Sequence, residues 1–253
     1  MERKLLCSAC RTGLPQAVVQ VAAVAAFALA VSGCGPNYFP ALYSMGRLQP
    51  VPPDLAVPAR AFSGAVHVGK SLNTGSPDMF AAQLAGTLYT PLFAPGARRP
   101  LASLAATGML YGGNIKDSLH DVGSIIQQSF YGAGIMLQPT LNLHLGDALC
   151  LYGMAELSAA LELGPYAERV NTGVLSRLSR SAILVFEPAL AAGICVHPSR
   201  SSFLSLSGRV FTPPALRIAW WERTFGVFLA AVGERGIQGG LTVLLPQPSP
   251  RQR

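Results

Sequence analysis

Gly64-Ala65-Val66-His67-Val68-Gly69-Lys70-Ser71 satisfies the pattern G-x-x-x-x-G-K-S. In that pattern, backbone amides cradle a phosphate at a helix start, while the lysine and serine serve phosphate and metal. The chemistry needs a helix after the loop. Here Leu72-Asn73-Thr74-Gly75-Ser76-Pro77 follows, which reads as a turn. The residues before Lys70 alternate like a strand. Ala182 to Glu187 imitates the acidic partner strand but lacks an aspartate at its end. The simpler reading is a strand running into a Lys-bearing loop. His197-Pro198-Ser199, with Glu187 upstream, supplies the residue types of a Ser-His-acid nucleophile. Such a site needs convergence in three dimensions, which a two-residue spacing does not establish. A turn histidine before Pro198 is the plainer account. His67, His120, His144 and His197 show no i, i+4 or H-x-H spacing, so a metal site has no local support. The expectation is no catalytic site, no metal and no cofactor.

Two other groups carry chemistry of a structural kind. Glu156, Glu162, Glu187, Arg209 and Arg217 fall in segments whose opposite face is apolar. Enclosed in a narrow barrel, they must pair with one another or line a small pore. Cys150 and Cys195 lie on the polar faces of segments 148–163 and 180–197. A hairpin centred near residue 172 sets them opposite each other. Opposed Cβ atoms sit about 4.5–5.5 Å apart. A cross-strand disulfide, a facing thiol pair and two separate buried thiols are the alternatives.

The elements that must position these residues are strands. Between residues 60 and 245 apolar residues recur with period two, as they do in a strand with two different faces. The clearest case is 130–146. Tyr131, Ala133, Ile135, Leu137, Leu141, Leu143 and Leu145 stand on one face; Gln138, Thr140, Asn142 and His144 stand on the other. Further segments are about 60–69, 79–93, 100–112, 148–163, 186–197, 201–211, 215–222, 225–233 and 236–245. The predicted architecture is all-β: a single antiparallel up-and-down barrel of about 8–10 strands. Connections near 70–78, 113–129 and 164–179 are long. Those near 94–99, 145–147 and 198–200 are short. Phe80, Phe93, Tyr111, Phe130, Tyr131, Phe186, Phe211, Trp220, Trp221 and Phe225 cluster near strand ends, where interfacial girdles belong.

This pattern, with Gly-rich strands such as Tyr131-Gly132-Ala133-Gly134 and Gly239-Gly240-Leu241, resembles that of small outer-membrane β-barrels. Many such barrels end on a strand with a terminal aromatic. This chain instead ends in a segment holding Pro246, Pro248 and Pro250.

The N-terminus adds an address. Val31-Ser32-Gly33-Cys34 closes an Ala-rich apolar run, 17–30, that follows Arg3, Lys4 and Arg11. A basic start, a short apolar core and small residues before a cut site make an export signal. Because it ends on cysteine, the tetrapeptide resembles the lipobox of bacterial lipoproteins. The resemblance implies cleavage before Cys34, acylation of Cys34 and membrane lipid as a partner. Gly35 is compatible with outer-membrane sorting. The expected organisation is a signal over 1–33, a lipidated Pro-rich tether over 34–58, a barrel over 59–246 and a disordered tail over 247–253.

The whole chain of 253 residues carries a net charge of +7. Removing Arg3, Lys4, Arg11 and Glu2 with the signal leaves 16 basic and 11 acidic residues, or +5. The basic residues are scattered, with Arg98-Arg99 the one adjacent pair outside the signal. Without a basic stripe or a recognition module, no nucleic-acid partner is expected. Long loops would serve any envelope or surface partner.

Two barrels share this alternation. One turns its apolar face outward into a membrane. The other, a tethered soluble lipocalin-like barrel, turns it inward around an apolar ligand. Residues 130–146 carry no charge apart from His144, which favours the membrane-facing version.

Overall fold

The structure is a computed structural model. It describes residue 52 and residues 54–70, 78–92, 99–118, 125–169, 177–179, 182–199, 202–210, 215–232 and 236–246. The signal 1–33, Cys34, most of the tether and the tail 247–253 lie outside the described residues. Among the described residues eleven strands follow one another: β1 (Ala59–Lys70), β2 (Asp78–Leu92), β3 (Ala102–Ser118), β4 (Ile125–Leu145), β5 (Leu149–Leu163), β6 (Arg177–Ser179), β7 (Ala182–Val196), β8 (Ser202–Val210), β9 (Ala215–Glu222), β10 (Phe225–Val232) and β11 (Gly236–Pro246). A five-residue helix, α1 (Pro165–Arg169), follows β5.

Ten of these strands close an antiparallel barrel. Leaving β6 aside, neighbours in sequence pair: β5 pairs with β7, and β1 pairs with β11 to seal the cylinder. Closure pairs every barrel strand with a neighbour on each side over part of its length, which protects strand edges from templating by another chain. The three-residue β6 pairs with β7 at Ile183 and Ala182, beyond the stretch Leu190 to Val196 that β8 covers. The architecture is the up-and-down barrel expected from the alternation.

One connection differs from expectation. The segment 113–129 is mostly strand, because β3 and β4 stay paired out to Ser118 opposite Ile125. Gly112, Gly113 and the polar run after them hide an alternation that the backbone ladder nonetheless continues. The tether end of the barrel carries turns at 146–148 and 223–224, and residues 197–199 after β7. Gly146 sits at φ 75° in the first turn, and Arg223 at φ 52° in the second. At the opposite end, Gly164 leads from β5 into α1.

The direction of the two faces is now visible. On β4, Tyr131, Ile135, Leu137, Leu141, Leu143 and Leu145 are exposed, while Met136, Gln138, Thr140 and Asn142 are buried. The same holds around the cylinder: Phe62, Leu84, Leu110, Val210, Leu229 and Leu241 all face outward. Among the described side chains, outward strand positions carry charge at Arg60, Lys116 and Glu222, each near a strand end. The lipocalin-like alternative fails on this point, since it needs the apolar face inside. The aromatic expectation holds in part. Phe80, Tyr131, Phe186, Trp220 and Phe225 are exposed, whereas Tyr111, Phe130 and Trp221 point inward and are buried. Phe93 and Phe211 lie outside the described residues.

Candidate functional site

The barrel interior is filled by side chains, as a small barrel's must be. Cross-strand partners meet there: Ser63 with Thr242 at 2.9 Å, and Thr87 with Thr107 at 2.8 Å. At the centre stands an ion pair. Arg209 Nε on β8 donates to Glu156 Oε2 on β5 at 2.7 Å. Gln138 Nε2 on β4 donates to the other carboxylate oxygen at 3.0 Å. Glu156 is 1% exposed and Arg209 6%. Two opposite charges this deep need each other and further hydrogen bonds to offset their lost hydration. Arg217 on β9 donates to Ser207 at 3.0 Å. The cavity beside these residues, lined by Glu156, Ala191, Ser207, Arg209, Ala215, Arg217 and Ala230, holds about 10 Å³. That is room for about one water.

The structure thus brings Glu156, Arg209 and Arg217 to one level of the interior. Glu162 is also fully buried, on the same face of β5. Glu187 occupies the register position opposite Ser158; its side chain lies outside the described residues. Gln138 was not singled out from sequence, although its place on the polar face of 130–146 put it within reach.

Glycine makes room for the larger interior side chains. Tyr111, Tyr152, Trp221 and Phe228 each stand opposite a glycine on the neighbouring strand: Gly132, Gly193, Gly226 and Gly240. A Cβ added to Gly193 would lie 2.5 Å from the Tyr152 ring and 2.6 Å from the Leu206 carbonyl oxygen. One added to Gly226 would lie 2.7 Å from the Trp221 ring. Aromatic side chains laid over cross-strand glycines both fill the barrel and cover bare backbone. This gives the Gly-rich strands a packing reason.

The second assembly lies at the tether end. Cys150 and Cys195 are register partners on β5 and β7, as expected. Both are buried, and both are free thiols. Asp54, the sole acid in 35–58, tucks into this mouth at 6% exposure. His197 Nε2 meets Asp54 Oδ2 at 2.8 Å. The His197 ring packs on Phe203, which stacks on Trp221 at 5.7 Å. The Tyr89 hydroxyl donates to the Leu55 carbonyl at 3.0 Å. Part of the tether therefore docks. The carboxylate partner of His197 is Asp54 rather than Glu187, and Ser199 Oγ engages Ser202 at 2.7 Å. Gly64 to Gly69 is paired strand on both sides and Lys70 is paired to β2, so the segment is not a phosphate-cradling loop.

No protein-family model matches the chain, and no curated protein matches it by sequence. Solved structures similar to it include three bacterial proteins. Neisserial surface protein A is 12% identical with a TM-score of 0.35, covering 77% of this chain and 99% of its own. The translocator domain of the autotransporter NalP from Neisseria meningitidis is 12% identical with a TM-score of 0.37, covering 92% and 98%. The transport unit of the autotransporter AIDA-I from Escherichia coli is 12% identical with a TM-score of 0.39, covering 81% and 92%.

Proposed function

We propose that this chain is an outer-membrane β-barrel lipoprotein, anchored through acylated Cys34, with a sealed barrel in a structural or surface-adhesive role. The carrying observation is an apolar exterior whose described outward charges, Arg60, Lys116 and Glu222, stand near strand ends. Exposed leucines, valines and isoleucines over a whole cylinder are costly in water and favourable in lipid. The filled interior and the docked Asp54 favour a closed plug over a pore. The export signal and the Cys34 motif support the address, and the connection 164–181 is the natural surface for a partner.

The test is membrane partition of Cys34→Ala protein exported on a signal that is not lipidated. Membranes are washed with alkaline carbonate and floated to remove aggregates. The barrel is expected in the floated membrane fraction. Release as soluble folded protein would overturn the spanning reading. Acyl-chain labelling of the natural chain, lost in Cys34→Ala, checks the anchor separately.

A further inference from the structure

We propose that Asp54, His144 and Cys150 form a binding site for a divalent zinc-type cation at the barrel mouth that receives the tether. The residues are distant in sequence and come from three segments. His144 and Cys150 are register partners on β4 and β5. Asp54 reaches them from ahead of β1. Their ligand atoms all lie within 4.8 Å of one another. Around a tetrahedral zinc ion the corresponding separations are roughly 3.3–3.7 Å. Small side-chain rotations close that difference.

His144 shows the strongest sign. Its Nε2 lies 3.1 Å from the Pro100 carbonyl oxygen. A carbonyl only accepts, so Nε2 carries a proton; in the neutral ring Nδ1 then keeps a lone pair. Nδ1 is buried and has no hydrogen-bond partner among the described residues. A buried acceptor left without a partner is costly and calls for an explanation. Metal-bound histidines commonly donate their other ring N–H to a backbone carbonyl, which fixes the tautomer and turns the free nitrogen to the ion. Asp54 is held in a comparable way by His197 at 2.8 Å through Oδ2, which leaves Oδ1 as its second oxygen. Cys150 is fully buried beside them.

The donor set selects the ion. Thiolate, imidazole and carboxylate together suit Zn²⁺. On binding, the Cys150 thiol releases its proton to solvent. The two charges of the ion are then balanced by one thiolate and one carboxylate, so the buried centre is neutral. The fourth position is left to water, with Cys195 outside the triad. The ion would tie the tether to β4 and β5 and hold the mouth shut. Because it needs the folded arrangement, binding would also stabilise the barrel.

The experiment uses the full exported chain, reduced and folded in detergent, loaded with Zn²⁺ or Co²⁺ and then dialysed. One zinc per chain is expected, and the cobalt form should show a thiolate-to-metal charge-transfer band. Cys150→Ser and His144→Gln should each weaken binding at least about tenfold, and His197→Gln about tenfold through Asp54. Cys195→Ser should still bind one zinc, which separates metal binding from any bridge. Absence of stoichiometric zinc in folded wild-type and Cys195→Ser protein would overturn the site. Binding that survives both Cys150→Ser and His144→Gln would do the same, as would a Cys150–Cys195 bridge in the exported protein.

Discussion

Arg209 reaches Glu156 across an intervening strand: β5 and β8 are not neighbours, and the 2.7 Å ion pair passes over β7 at Ala189 and Ala191. Alanine at those two positions keeps the path clear. Breaking the pair by removing one partner leaves an uncompensated buried charge. Glu156→Leu or Arg209→Met alone should each destabilise the barrel by about 3–5 kcal/mol. The double variant should cost less than either single one. Urea unfolding in lipid vesicles checks both statements.

The glycine–aromatic pairs predict two different rescues. Gly226→Ala meets Trp221 ring atoms, and Gly193→Ala meets Tyr152 and also the Leu206 carbonyl. Each should destabilise by about 1–3 kcal/mol through overpacking. Adding Trp221→Leu should relieve much of the Gly226→Ala strain. Adding Tyr152→Leu should relieve Gly193→Ala only in part, because the carbonyl remains. Double-variant cycles on unfolding free energy distinguish the two.

The exterior predicts a depth profile. Leu137 is exposed and lies between the Tyr131 level and the turn after Leu145. Leu137→Arg should destabilise the barrel in a bilayer by about 2–4 kcal/mol, and Leu145→Arg by about 0–1. Equal small costs at both positions would mean that no hydrocarbon surrounds this face.

The filled interior predicts electrical silence. Planar bilayers containing the natural chain should show no steady conductance. Removing the interior pair with Glu156→Ala and Arg209→Ala together enlarges the cavity of about 10 Å³ beside them and should produce measurable openings. Steady current through the natural protein would overturn the sealed reading.

Much of this was written locally. Period-two alternation over 130–146 determined a strand with two unlike faces, because side chains on an extended chain alternate whatever surrounds them. The hairpin centre near residue 172 determined that Cys150 would face Cys195, because antiparallel pairing follows from the turn alone. The extension of β3 to Ser118 was hidden, since Gly112 and Gly113 carry no side chains to alternate. Alternation also has no sign: whether Leu137 or Gln138 faces inward was decided by how the sheet closes on itself. Glu156 meeting Arg209, and Asp54 meeting His197, are likewise products of the tertiary fold. Those pairs span distant segments, and no periodicity within a strand records which residues a cylinder brings to the same height.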